Sequence, residues 1–409
     1  MAVAQHTQAT GAWERQDLLN GCQAVAQGVR LADVDVIAAY PIRPYTEVMD
    51  ALSKIIADGQ LDAEYIIADS EHSQFEIVKH AASVGARSFA GSSGTGWMYG
   101  MEALVVTATD RLPPLFLVGN RALDDPGAFG VEHNDAMAVR DMGWLLCWAT
   151  TAQEALEHVL IGYRVAEDHR VLMPMALAMD GAFLTHSQHM VQVPTTEAVK
   201  RFLPRFDLGK RVLHPDNPIS IAPQVNEDWV MELRRQNWEA ARRAKFVIAE
   251  VYQEFNKIFG ERYSQPYYTE FMTDDAEVVL LGLGAVAMPA RTAVRRMREQ
   301  GQKVGYVGLR WFRPFPTTEL RELLGRFKGV GIIDRDCAHG SPDSGSILFH
   351  DVRSCLYPLA RRPVMSNFIG GLGGRDISID DCIKMLDMTR HTADKGSEDV
   401  NVTWIGLRE

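Results

Sequence analysis

Along the first 185 residues, apolar runs recur at nearly constant steps. They begin at Val34, Tyr65, Ser88, Leu115, Leu145 and Val171, which stand 31, 23, 27, 30 and 26 residues apart. Each step has room for one strand, one helix and two short loops. The segments between carry helical periodicity: Leu18, Cys22, Val25 and Val29 fall on one face, as do Val48, Leu52 and Ile55. Near-continuous apolar strands separated by amphipathic helices predict a parallel sheet covered on both faces. Ligands of such sheets sit at the carboxyl ends of the strands, so the loops there are where chemistry is expected.

The pattern changes over 192–228, where Pro194, Pro204, Pro215, Pro218 and Pro223 predict an extended surface connector. A long amphipathic helix is predicted over 229–259, with Val247, Val251, Phe255 and Ile258 along its apolar stripe. A second α/β unit follows, with strands over 277–284, 303–309 and 329–334 and helices over 287–298 and 317–327. The domains expected are therefore 1–190, a connector with its helix over 191–270, a smaller α/β domain over 271–390, and a polar tail over 391–409.

Composition narrows the function classes. Hydrophobic residues make up 46% and charged residues 23%, which fits globular domains rather than disorder. Forty-two Lys plus Arg against 53 Asp plus Glu leave a net charge of −11, a poor match for nucleic acid or an anionic membrane. The longest apolar stretch, 278–288, falls far short of the ~20 residues of a membrane span. The opening MAVAQHTQATGAWERQD has no apolar core behind a basic head, so a cytoplasmic protein without a secretion signal is expected. The five cysteines, Cys22, Cys147, Cys337, Cys355 and Cys382, show no CxxC spacing. That fits reduced thiols, and it argues against an iron–sulfur cluster held by this chain, which would need about four thiolates.

Four post-strand loops carry candidate chemistry. In Tyr40-Pro41-Ile42-Arg43-Pro44-Tyr45-Thr46, two prolines fix the backbone around Arg43 and Thr46 is placed to cap the next helix. Arg43 reads either as an aimed cation or as a solvated surface residue. Asp69-Ser70-Glu71-His72-Ser73 opens a helix, and its first turn favours a carboxylate whether or not Glu71 has another role. Gly91-Ser92-Ser93-Gly94-Thr95-Gly96 is a small-residue turn without the lysine of a P-loop; a phosphate, or close approach by a ring, would explain its glycines. After the fourth strand, Arg121 is placed to hold a carboxylate, with Asp124 three residues on, or the two form a plain surface ion pair. The polar run over 128–135 suits a mobile lid. In the second domain, Gly282-Leu283-Gly284 follows a strand but lacks a third glycine and a following acidic residue, so dinucleotide binding there is weakly supported.

Taken together, these loops resemble the α subunit of the thiamine-diphosphate-dependent 2-oxoacid:acceptor (ferredoxin) oxidoreductases. AAYPIRPYTE is similar to that family's AAYPITPxT loop, ADSEHSQFE to its ESEHSA loop, and VGNRALDDPGAFGVEHNDAM to its NRAL…DHSD segment. LPRFDLGKRVLHPDNP, GLRWFRPFP and NFIGGLGGRDIS also fit, and the likeness covers nearly the whole chain. The resemblance implies a thiamine-diphosphate pyrimidine-side domain followed by a transketolase-C-terminal-like α/β domain. A β subunit would complete the cofactor site with the diphosphate and Mg²⁺, while γ and δ-type subunits would carry iron–sulfur clusters. If the complex reduces NAD⁺, a further flavin- or NAD-linked subunit does so.

The motif match further implies that Glu71 is the carboxylate that activates the aminopyrimidine, with Ile42 and Ser93 also contacting the cofactor. It implies that Arg121 binds the substrate carboxylate, with Arg43 and Asp124 beside it. The family's PITP carries Thr where this chain has Arg43. A second cation would suit the dianion oxalate, while an arginine stacked on a ring, with Trp97, Tyr99 and Phe129 as lining, would suit an arylglyoxylate such as phenylglyoxylate. The preferred expectation is an arylglyoxylate with CoA as acyl acceptor; oxalate, pyruvate and a non-catalytic scaffold are the alternatives.

Overall fold

The computed structural model describes residues 11–124, 126–342 and 345–408. The first ten residues of the leader reading, and Asp125 of the fourth loop, lie outside the described residues. Seven strands form the first sheet in the spatial order Trp311–Arg313, Leu145–Trp148, Met175–Asp180, Leu115–Asn120, Ser88–Ser92, Val36–Ala39, Glu64–Ile67. All run parallel except Trp311–Arg313, which pairs antiparallel onto Leu145–Trp148. The strands Ser88–Ser92, Leu115–Asn120, Leu145–Trp148 and Met175–Asp180 are buried at every residue, as uninterrupted apolar runs covered on two faces require. The expected doubly covered parallel sheet is present.

The chain steps from Val36–Ala39 to the edge strand Glu64–Ile67, then crosses back to Ser88–Ser92 on the other side. Strand order reverses there, so a crevice opens between the loops that leave Val36–Ala39 and Ser88–Ser92. The second sheet has six strands in the order Asp399–Ile405, Val364–Gly370, Gly329–Asp334, Val278–Leu283, Val304–Leu309, Tyr268–Phe271, the last antiparallel. Its order reverses at Val278–Leu283, between Val304–Leu309 and Gly329–Asp334.

Three local expectations are corrected. Leu18 does not share a helical face with Cys22: it lies in the strand Trp13–Leu19, which pairs antiparallel with His189–Pro194, and it is exposed. The helix begins at Gly21, because Asn20 and Gln23 close a capping box that fixes its first turn. Thr46 is the first helical residue of Thr46–Ala57 rather than its cap, and that helix start has no side-chain cap. The expected polar tail contains the end of the helix Ile379–Lys395 and then the strand Asp399–Ile405, which extends the second sheet at its edge. An edge strand needs only one partner and little burial, so a short alternation such as Val402 and Trp404 suffices.

The connector also holds more structure than its prolines imply, since the helix Thr196–Phe202 precedes the irregular stretch. The long helix runs Glu227–Phe259 and buries Val247, Val251 and Phe255 of the predicted stripe, while Ile258 is only partly buried and Phe259 is buried instead. All five cysteines are buried and unpaired. No helix of the described residues is long and apolar enough to cross a membrane.

Candidate active site at the carboxyl ends of the first sheet

Glu71 opens the helix Glu71–Ser83, whose start is fixed by Ser70 accepting the Ser73 N–H at 3.1 Å. The edge strand before it delivers this helix start to the crevice. Only 8% of Glu71 is exposed, and among the described residues no group makes a hydrogen bond to its carboxylate. Space for that carboxylate comes from Gly96. A Cβ at Gly96 would overlap Glu71 Oε1 and would stand 2.6 Å from Ile42 Cδ1 and 2.8 Å from Ser92 Oγ. The small-residue turn is thus explained by close approach of side chains: Gly91 likewise leaves room for the Tyr45 ring. Ser92 and Ser93 are fully buried, and neither hydroxyl has a partner among the described residues. Buried hydroxyls without partners are costly in a finished core, so a polar group from outside the chain fits beside them.

Arg121 leaves the strand Leu115–Asn120 and lies along the same turn, close to Gly94. Its side chain is 12% exposed, its Nη2 is 3.3 Å from Asp124 Oδ2, and its Nη1 donates to the Arg43 carbonyl at 3.5 Å. Asp124 also accepts from Thr95 Oγ1 at 3.2 Å. Asp124 therefore partners Arg121 and Thr95. Arg43 contributes its main chain here, and its side chain is exposed. The Phe129 ring lies 4.8 Å from the Arg121 guanidinium carbon and is 68% exposed. Tyr99 is also exposed, whereas Trp97 lines no pocket: it is buried in a cluster with Phe75, Phe116 and Trp144 at ring separations of 5.4, 5.8 and 5.6 Å. A large apolar ring on the inner face of a short helix is drawn into the core.

The run over 128–135 is not a free lid. His133 and Asp135 are fully buried. Asp135 Oδ2 accepts the N–H groups of Gly94 and Arg121 at 3.0 and 2.9 Å, and Oδ1 accepts Asn120 Nδ2 and the Ala136 N–H at 2.8 and 2.7 Å. Burial pushes the Asp135 carboxyl up to about 6, against the pull of those four donors. His133 bridges the domains, with Nε2 3.1 Å from Asp180 Oδ1 and Nδ1 3.2 Å from Asp334 Oδ1. Burial alone would lower the His133 pKa, but the two carboxylates outweigh it and push it up to about 10.

The glycine turn of the second domain faces inward rather than toward a nucleotide. Asp180 Oδ2 accepts the Ala285 N–H at 3.1 Å, and a Cβ at Gly284 would overlap the Asp180 carboxylate. The crevice where the second sheet reverses is thus filled by the first domain's own acid. Sequence reasoning missed His133, Asp135 and Asp180, whose partners lie tens to hundreds of residues away.

Comparison with known proteins places the chain in a family. Residues 27–253 match the family described as "Pyruvate flavodoxin/ferredoxin oxidoreductase, thiamine diP-bdg", and residues 276–382 match "Pyruvate:ferredoxin oxidoreductase core domain II". The chain is 36% identical over 387 residues to pyruvate synthase subunit PorA of Pyrococcus abyssi, covering 95% of this chain and 97% of that protein. It is 34% identical over 392 residues to ketoisovalerate oxidoreductase subunit VorA of the same organism, covering 96% and 98%. Among solved structures, a 2-oxoglutarate:ferredoxin oxidoreductase from Magnetococcus marinus superposes with a TM-score of 0.69 at 15% identity, covering 91% of this chain and 65% of that one. That last likeness speaks for the fold. By sequence and by domain content, this chain belongs to the 2-oxoacid:ferredoxin oxidoreductase family, as an α-type subunit with a thiamine-diphosphate-binding domain.

Proposed function

We propose that this chain holds the pyrimidine half of thiamine diphosphate at a seam with a β-type subunit, and binds there a 2-oxoacid that is oxidatively decarboxylated. The observation that carries this reading is the nearly buried Glu71 carboxylate, held beside Gly96 with no hydrogen-bond partner among the described residues and in the same turn as two buried hydroxyls that also lack one there. A carboxylate so placed can share a proton with a ring nitrogen of the aminopyrimidine, and Ser93 and Ile42 complete a polar and an apolar contact. Bound there, thiamine diphosphate supplies the electron sink for the carbon that loses CO₂. Mg²⁺ and the diphosphate belong to the β-type subunit, and iron–sulfur clusters to γ and δ-type partners. The five buried, dispersed cysteines of this chain offer no alternative cluster site among the described residues.

Arg121 captures the substrate carboxylate, and Asp124 holds its guanidinium in place from one side. The overall change is R–CO–COO⁻ + CoA–SH → R–CO–S–CoA + CO₂ + 2 e⁻ + H⁺, with the electrons leaving singly to the partner clusters. For R we infer an aryl group. The support is the exposed Phe129 ring against Arg121, together with the exposed Arg43 beside the same loop. A second reading, a small aliphatic 2-oxoacid, draws on the names of the relatives, which cover almost the whole chain. Oxalate, turned over without CoA, would use Arg43 as a second cation.

The decisive experiment assays the assembled complex with phenylglyoxylate, pyruvate, 2-oxoisovalerate and oxalate, each with and without CoA. CoA-dependent turnover fastest with phenylglyoxylate is expected; preference for pyruvate or 2-oxoisovalerate selects the second reading, and CoA-independent oxalate turnover overturns both. Glu71→Gln is expected to lower turnover by roughly 10²–10⁴-fold with assembly intact. Unchanged turnover in that variant would remove Glu71 from the mechanism.

A further inference from the structure

We propose that the segment His133-Asn134-Asp135 is a strap through which the second domain sets the position of Arg121, with all three as positioning residues. The proposal rests on Arg121 as the carboxylate-binding residue of the reading above.

The three side chains divide their contacts between the two domains. Asp135 faces the site: one oxygen holds the main-chain N–H groups of both Gly94 and Arg121, and the other holds Asn120 and the strap's own Ala136. One carboxylate thereby joins the root of the Arg121 loop to the small-residue turn beside Glu71. Asn134 faces the second domain, donating to the Cys337 carbonyl at 3.2 Å and accepting the Cys337 N–H at 3.3 Å. His133 lies between Asp180 and Asp334, and its main-chain N–H donates to the Arg335 carbonyl at 2.8 Å. Just upstream, Glu132 Oε1 accepts the Gly373 N–H at 3.0 Å, and the Gly374 N–H donates to the Val131 carbonyl at 3.2 Å. The strap is therefore fastened to two loops of the second domain, 334–337 and 373–374, before it reaches Arg121.

Physical chemistry makes this connection matter for binding rather than for folding alone. An arginine whose loop root is fixed loses less freedom on meeting an anion, and small displacements of a positioned group are costly. All four groups that meet Asp135 donate hydrogen bonds, so an acceptor-only carboxylate is the side chain that suits them. An amide of the same shape would turn its N–H₂ group against the two donors that share one of the oxygens.

The test uses the assembled complex with pyruvate and with phenylglyoxylate as probes, comparing Asp135→Asn, Asn134→Ala, Arg121→Ala and the Asp135→Asn/Arg121→Ala pair. Asp135→Asn is expected to raise KM about tenfold while kcat changes less than about threefold, and Asn134→Ala to raise KM about threefold. In the Arg121→Ala background Asp135→Asn should add nothing, because both act through one group. The proposal is overturned if Asp135→Asn leaves KM unchanged, or if its effect adds in full to that of Arg121→Ala. Should Asp135→Asn fail to fold, Asn134→Ala decides: a raised KM at unchanged melting temperature supports the strap, and an unchanged KM overturns it. If Arg121→Ala itself leaves KM unchanged, the role of Arg121 fails first, which is a separate result.

Discussion

Both sheets reverse strand order once, and both reversals open a crevice at carboxyl ends, yet the two crevices are finished in opposite ways. In the first, the buried Ser92 and Ser93 hydroxyls lack partners among the described residues, and the nearly buried Glu71 carboxylate stands beside Ser92 at Gly96. In the second, Asp180 enters from the other domain and is met by His133, by the Ala285 N–H and, at 3.6 Å, by Arg335. The same topology thus yields one open cradle and one closed joint. What separates them is the central acid: Asp180 is paired with groups of the same chain, which serves cohesion, whereas Glu71 is left open among the described residues, as the proposed ligand site requires.

The contrast breaks most visibly at the joint. Replacing His133 with Leu leaves Asp180 and Asp334 buried without their shared cation, and should cost roughly 3–5 kcal/mol of stability, read from the urea unfolding midpoint. Next in size, Gly96→Ala presses a methyl group onto Glu71 and should reduce turnover about 100-fold, a far larger effect than its ~1–3 kcal/mol of overpacking implies for folding. A fall in stability with turnover intact would instead make Gly96 a packing residue only.

The joint also predicts a pH dependence. The His133 pKa is raised to about 10 in the folded chain, from an unfolded value of about 6.5. The stability it contributes is therefore fully present below about pH 6.5 and is lost as pH rises through about 10. Melting temperatures across that window should fall in the parent chain and fall less in the His133 variant. Ser93→Ala sharpens the other side of the comparison. Losing a hydroxyl that no protein group satisfies should leave stability within ~1 kcal/mol, while thiamine diphosphate binds the assembled complex about tenfold more weakly in a fluorescence titration. Loss of stability without loss of affinity would count against the cradle. The smallest effect is expected from Arg43→Thr, where an exposed side chain should change stability by less than ~0.5 kcal/mol. It should raise KM for phenylglyoxylate or oxalate a few-fold and leave pyruvate unaffected; equal KM values throughout would exclude Arg43 from substrate choice.

The sequence disclosed the cradle far better than the joint. Buried parallel strands are written as uninterrupted apolar runs, so Ser88–Ser92, Leu115–Asn120 and Leu145–Trp148 stand out by their spacing, and the loops after them follow. Glu71 was singled out by its resemblance to a family motif; helix-start chemistry alone explains a glutamate there equally well. By contrast, Glu132-His133-Asn134-Asp135 has the composition of a solvated loop, and nothing local reveals that His133 meets Asp334, 201 residues on. Trp97 misled in the reverse sense, since an aromatic residue near a glycine turn reads as lining until its neighbours Phe75 and Trp144 are seen. Polar burial is a property of pairs, and pairs distant along the chain leave no periodic trace.

The strand Trp311–Arg313, added antiparallel to the border of the first sheet, has a consequence for synthesis. While a ribosome has not yet released Arg313, Leu145–Trp148 presents one row of amides and carbonyls to solvent, an invitation to mispairing that only the later half of the polypeptide withdraws. A nascent chain stalled before that point should be the species chaperones hold longest.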